Sequence, residues 1–251
     1  MKLKLLTLLL LVPIIVFSQK EDYIWLNGGF FETDSLEGTS IIDFNFSPPE
    51  KRYAHTFPSV YLTNTNISDP EGNLLFYSNG VHLYNADHEI VENGAEFQSS
   101  SLYPLGYYTI QGGLLFPYPD HPDQFVFVLC DDITYDYTSS LFTHGCHPLT
   151  YSVIKANDTG GIVTERKATL STDTLHYNQL QGIQHANGRD WWLVSAPSVG
   201  SNRYHKFLLT PEGIALHDIQ HIGEPYWKQW GQGAVSPDGE RLAYYLSLIH
   251  I

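Results

Sequence analysis

Glycine-containing turns recur along the second half of this chain at a nearly constant interval, and that interval limits what the chain can fold into. Gly161, Gly188, Gly213 and Gly239 are separated by 27, 25 and 26 residues. They lie in Thr159-Gly160-Gly161, Ala186-Asn187-Gly188-Arg189, Thr210-Pro211-Glu212-Gly213 and Ser236-Pro237-Asp238-Gly239. An earlier Asp69-Pro70-Glu71-Gly72-Asn73 repeats the Pro-acid-Gly order. Proline presets φ at the second turn position, and glycine supplies the positive φ that follows. Asn-Gly suits the type I′ turn of a two-residue hairpin. A hairpin tip every ~26 residues makes a four-stranded unit of roughly 50 residues, the size of a propeller blade. A β-sandwich with evenly spaced turns is the other architecture open to this pattern. It closes within about 100 residues, however, and no linker divides this chain in two.

The segments between the turns are short and rich in β-branched and aromatic residues. Ser40–Phe46, Leu74–Tyr77, Phe125–Leu129, Trp191–Val194 and Tyr204–Leu209 are examples. No window of a dozen residues sustains a 3.6-residue apolar period with caps. The expected fold is therefore all-β: a β-propeller of four-stranded blades, incomplete, with about 4 to 5 blades in residues 19–245.

Composition narrows the function classes. Hydrophobic residues make up 43% of the 251, enough for a core, which excludes disorder. Thirteen basic residues stand against 27 acidic ones, a formal charge of −14. Nucleic-acid binding through counterion release needs a basic face, so no nucleic-acid partner is expected.

The first residues read as an address. Lys2 and Lys4 precede an apolar stretch that ends at Phe17, and Ser18 is small enough for cleavage. Residues 1–18 are the predicted signal peptide, with Gln19 as the mature start. Removing the two lysines takes the formal charge to −16. No second apolar stretch reaches ~18 residues, so no membrane insertion is expected after cleavage. The expected location is secreted, either extracellular or on the outer cell surface.

Export permits disulfides. Cys130 ends the run Phe125–Leu129, and Cys146 lies just before Leu149–Ile154, with 15 residues between them. A Cys130–Cys146 bridge would staple the loop Asp131–Pro148 between neighbouring strands. The chain-entropy model makes such a closure worth about 3 kcal/mol. The alternative is two unpaired thiols, one buried and one in the loop.

Catalytic signatures are scarce. There is no Gly-x-Ser-x-Gly elbow, no phosphate-cradling glycine loop and no Cys-x-x-Cys pair, and His88-Glu89 lacks the second histidine of a zinc helix. Asp131, Asp132, His144, Cys146 and His147 combine metal-ligating types in one stretch, but a bridged Cys146 cannot serve as a thiolate. No metal and no cofactor are expected. Asp69–Asn73 has too few oxygen ligands for a calcium loop and reads as a turn. His185–Asp190 reads either as a rim contact or as a plain hairpin turn. His217 and His221 read as surface histidines of a strand.

Aromatic residues are the better binding candidates. Tyr135, Tyr137, Trp227 and Trp230, with Tyr103, Tyr107 and Tyr108, offer amphipathic rings that stack on sugars. Packing between blades is the alternative use of the same rings.

Four stretches carry a resemblance: Ile67–Gly94, Leu149–Lys167, Gln184–Val194 and Ala234–Ala243, the last with an SPDG-plus-LA element shared by Tol-type and WD-repeat-like propellers. In this order they resemble the N-terminal β-propeller region of secreted, gliding-motility and type IX secretion-associated surface proteins of Gram-negative bacteria. Tyr107–Gly113 matches that pattern only loosely, and Asp131–Pro148 looks like an insertion. Residues 246–251 look like a non-native tail, so the resemblance implies a C-terminally truncated fragment with an exposed sheet edge. It also implies a non-catalytic surface module that binds or scaffolds a protein or glycan partner. Two other functions stay open: a propeller-type glycoside hydrolase or lyase, and a regulatory propeller of a longer multidomain protein.

Overall fold

The computed structural model describes residues 20–28, 39–54, 59–60, 62–136, 143–176, 180–195, 200–226, 231–236 and 238–246. The predicted signal peptide and residues 247–251 lie outside them. Among the described residues the regular structure is all strand, arranged in five antiparallel sheets. The first sheet holds β1 (Ile24–Asn27), β2 (Thr39–Asp43) and β3 (Glu50–Ala54). The second holds β4 (Thr65–Ser68), β5 (Leu74–Ser78) and β6 (Leu83–Asn85). The third holds β7 (Gly113–Pro117), β8 (Gln124–Asp136), β9 (Thr143–Lys155) and β10 (Ile162–Ser171), with the short β11 (Leu175–His176) also on β9. The fourth holds β12 (Gln181–Gln184), β13 (Trp191–Ser195), β14 (Ser201–Thr210) and β15 (Gly213–Tyr226). The fifth is the hairpin β16 (Gly231–Val235) and β17 (Leu242–Leu246). Leu246, the first residue of the expected tail, is the last of β17 and pairs with Gly231.

Every sheet is a meander in chain order, because the turns are local. Gly161, Gly188, Gly213 and Gly239 all have φ between +71° and +128° and all join consecutive strands. Asparagine or aspartate side chains close several of the turns. Asn157 Oδ1 accepts the backbone N–H groups of Thr159 and Gly161, and Asn187 Oδ1 accepts those of Arg189 and Asp190. These side chains mimic a backbone acceptor two to four residues ahead.

The sheets pack face to face in sequence order. Phe125, Phe127 and Leu129 of β8 point into the core shared with the second sheet, beside Phe76, Phe97 and Ile154. Val126, Val128 and Cys130 point the other way, against Leu193, Phe207 and Leu209 of the fourth sheet. Both faces of β8 are covered from Phe125 to Cys130, which is why that stretch is an unbroken apolar run rather than an alternation. The first and second sheets share a smaller core of Ile24, Leu26, Ile41, Tyr77 and Tyr84. The first strands of the sheets lie beside one another in series: β1 by β4, β4 by β7, β7 by β12, and β12 by β16.

Two irregular features complete the sheets. The free edge of β1 is met by amide side chains instead of a strand. Asn66 Nδ2 donates to the Ile24 carbonyl at 2.5 Å, Leu26 N–H donates to Asn66 Oδ1 at 3.4 Å, and Asn64 Nδ2 donates to the Leu26 carbonyl. Along β6, residues 89–97 take the place of a fourth strand, with Val91 N–H to Leu83 O at 3.1 Å and Leu83 N–H to Gly94 O at 2.9 Å. His88, Asn93 and Glu96 bend this segment at positive φ.

Cys130 and Cys146 form a disulfide across β8 and β9, with 5.6 Å between their Cα atoms. Both are fully buried. The segment Asp131–Pro148, read from the sequence as a loop, is mostly paired strand: β8 and β9 stay in register out to Asp136 opposite Thr143. Ile133, Thr134 and Tyr135 are good strand formers, and β11 extends the ladder with Leu175 opposite Cys146. The bridge therefore lies at the root of a long two-stranded arm.

Candidate functional site

Among the described residues, two clefts open between neighbouring sheets. The first, about 390 Å3, lies between the first and second sheets. Asp43 ends β2 on its inward face, only 6% exposed. A buried carboxylate needs partners, and three donors supply them. Oδ1 accepts the Asn45 N–H and Nδ2, each at 3.0 Å, and Oδ2 accepts Arg52 Nη2 at 3.0 Å. Asn45 Nδ2 also donates to the Gly72 carbonyl at 2.7 Å, so the β2–β3 turn is tied to the β4–β5 turn. A Cβ on Gly72 would lie 2.4 Å from Asn45 Oδ1, and its φ is +91°, so only glycine fits this close approach.

The walls of this cleft are Ile24, Ile41 and Leu74, and Asn73, Ala86, His88 and Tyr53 also line it. His88 Nδ1 lies 3.2 Å from the Tyr77 hydroxyl. Burial pushes the His88 imidazole below its ordinary range, countered in part by the Asp87 charge. Burial likewise raises the Tyr77 phenol, and pushes Tyr84, which stacks on it at 5.0 Å, up to about 12. These groups are therefore neutral hydrogen-bonding partners at pH 7. Tyr53 is exposed, with the Lys51 ammonium 4.8 Å from its ring centroid.

The second cleft, about 340 Å3, lies between the fourth sheet and the β16–β17 hairpin. Alternation on β14 builds it. His205, Phe207 and Leu209 face the third sheet and are buried, whereas Tyr204, Lys206 and Leu208 are half-buried on the other side. Tyr204 stacks on Tyr244 of β17 at 5.8 Å, over Ile183 and Val194, and Gln220 and Glu240 stand at the edge. The Lys206 ammonium lies 4.9 Å from the Trp192 ring centroid.

The sequence-derived candidates distribute unevenly. Tyr135 lies on the β8 arm opposite His144, with its side chain outside the described residues, as are Tyr137, Trp227 and Trp230 entirely. Tyr107 is fully buried, and its hydroxyl donates to the Asp131 carbonyl at 2.5 Å, while Tyr103 packs edge-on against Tyr107 and Tyr108. Tyr107 is therefore a packing residue, and Tyr103 and Tyr108 are half-buried around it. Of the metal-type residues, Cys146 is bridged, and Asp131 pairs with Lys167 and accepts Gln98 Nε2 at 2.9 Å. Among the described residues no three His, Cys, Asp or Glu side chains gather as a metal site. Asp69 takes Asn73 N–H at 2.8 Å and is a turn residue. His185–Asp190 is also a turn, with Arg189 paired to Asp190 and to Asp120. His217 and His221 do sit on one strand, β15. His217 is skipped in the β14–β15 register and its ring lies 4.9 Å from that of Trp192, while His221 Nδ1 is 3.2 Å from Asn202 Oδ1.

Asp43, Asn45 and Arg52 were missed as a group. One signal was available: Asp43 follows Thr39 and Ile41 at period two, an acid on the core-facing side of a strand. In comparisons with known proteins, the chain matches no family model, no curated protein and no solved structure.

Proposed function

We propose that this chain is part of a β-propeller that works as a non-catalytic binding or scaffolding module, outside the cell or on its surface, for a protein or glycan partner. Support for the architecture comes from successive meander sheets whose first strands neighbour one another in series, as radially arranged blades require. Support for export is the N-terminal sequence of Met1–Ser18 and the buried Cys130–Cys146 bridge, which suits an oxidising compartment. The resemblance to type IX secretion-associated propellers agrees with both.

The observation that carries the binding role is that both clefts draw polar and aromatic side chains from separate sheets over apolar walls. Concave surfaces of that kind are the usual places for ligands. The test is a binding screen of the exported chain against a glycan array and a panel of extracellular proteins. Saturable binding that weakens on Tyr204→Ala or Arg52→Ala is the expected result. Turnover of a polysaccharide that a single Asp→Asn change abolishes would replace this function with the hydrolase or lyase alternative. Mass spectrometry of the exported chain should find Gln19 at its N-terminus, and an intact Met1 would remove the support for export.

A further inference from the structure

We infer that the cleft between the first and second sheets is a subsite for a neutral sugar ring, which deepens the binding role proposed above and rests on it. The inference begins with the unused capacity of two groups that face each other. Arg52 spends one guanidinium nitrogen on Asp43, and its side chain is 55% exposed. A guanidinium carries five N–H donors, so most of them point at solvent or at whatever enters the cleft. Asp43 Oδ2 accepts a single bond, from Arg52, and retains lone-pair capacity beside it.

A donor and an acceptor side by side match a hydroxyl group, which both accepts and donates. Adjacent ring hydroxyls can address the pair together. Asp43 also cannot swing away, because Asn45 holds its other oxygen through two hydrogen bonds and is itself tied to Gly72. A polar pair fixed before the ligand arrives costs less to order on binding.

The surroundings choose among polar ligands. An anion would meet the Asp43 carboxylate in the cleft and a chain of formal charge −14 outside it. A cation would meet Arg52. A neutral polyhydroxyl ligand meets neither penalty. Its C–H faces find Ile24, Ile41 and Leu74 on the walls and the exposed Tyr53 ring beside them. A volume of about 390 Å3 falls within the range of ~300–1,000 Å3 typical of small-ligand pockets.

The experiment is calorimetric titration of the exported chain with three probes: neutral hexose oligosaccharides, the corresponding uronate oligosaccharides, and a neutral polysaccharide purified from cell surfaces. The first and third arms separate a free sugar from a surface polymer. At least one neutral probe should bind with a Kd at or below the millimolar range, and the uronates at least tenfold more weakly. Arg52→Ala should raise the Kd for the neutral probe tenfold or more while the melting temperature falls by no more than about 4 °C. Tyr204→Ala, in the other cleft, should leave it unchanged. Asp43→Asn is informative only if its melting curve is intact, so Arg52→Ala carries the test. Neutral-sugar binding that is indifferent to Arg52→Ala, or uronates bound as tightly, would overturn the inference. No neutral-sugar binding at all, alongside a protein partner that is lost on Tyr204→Ala, would overturn the sugar subsite and leave the binding module standing. Silence on both the glycan and the protein panels would overturn both.

Discussion

The interface between the third and fourth sheets and the interface between the first and second are built from the same elements and held in opposite ways. Between the third and fourth sheets, Phe116, Val128, Leu149, Leu193, Phe207 and Leu209 fill the gap around a buried disulfide. At its edge His205, itself buried, reaches Asp173 at 2.8 Å. Between the first and second sheets the core is thin, and asparagines do what side-chain volume does elsewhere. Asn64 and Asn66 close the edge of β1, and Asn45 binds one turn to another. A filled interface leaves no room for a ligand. One held by amides over a thin core keeps a cleft, with polar groups already positioned in it.

The contrast can be broken most directly by truncating each core. Phe207→Ala should cost about 3–5 kcal/mol, read from urea unfolding, because the side chain is fully buried among well-packed neighbours. Ile41→Ala should cost clearly less, at the lower end of about 2–5 kcal/mol for an aliphatic truncation. Equal losses would remove the distinction between the two interfaces.

Breaking the Cys130–Cys146 bridge by replacing both with serine should cost about 3 kcal/mol, seen as a lower urea midpoint. The loss should centre on the β8–β9 arm and the third–fourth interface, and hydrogen exchange would locate it. Asn45→Ala removes the clamp between two turns and should cost about 1–2 kcal/mol. Exchange should rise selectively at residues 69–73, and an unchanged exchange pattern there would mean that the clamp is incidental.

A pH effect separates the interfaces further. The hydrogen bond from His205 holds the Asp173 carboxyl below the usual aspartate range, with burial opposing and Arg203 assisting. A lowered carboxyl stabilises the fold at neutral pH, and that contribution fades as pH falls from about 4 through its folded value. Asp173→Asn should therefore flatten the acid limb of the stability curve. The smallest expected effect is that of Arg52→Ala on stability, about 1 kcal/mol or less, since its ion pair is half in solvent. A larger loss would make Arg52 a structural residue rather than a free donor in the cleft.

The elements of this fold were readable where their causes are local. Asn157-Asp158-Thr159-Gly160-Gly161 and His185-Ala186-Asn187-Gly188-Arg189-Asp190 form turns through bonds that reach two to four residues ahead. The apolar run Phe125–Leu129 is a strand, as expected, and the structure covers both of its faces. The Asp131–Pro148 stretch, expected as a loop between two apolar runs, instead carries the ladder onward at both its ends with support from β11. The cleft could not be read at all. Asp43 and Arg52 are nine residues apart, but the wall that faces them and makes them a site includes Leu74, on another sheet.

Strands, turns and the bridging partner of Cys130 follow from this chain's own order of residues, because turn geometry and period-two burial act over a few positions. Which side chains share a cleft was decided by how one sheet seats on the next. That seating depends on the summed shapes of faces whose residues lie dozens of positions apart, and no local pattern encodes it.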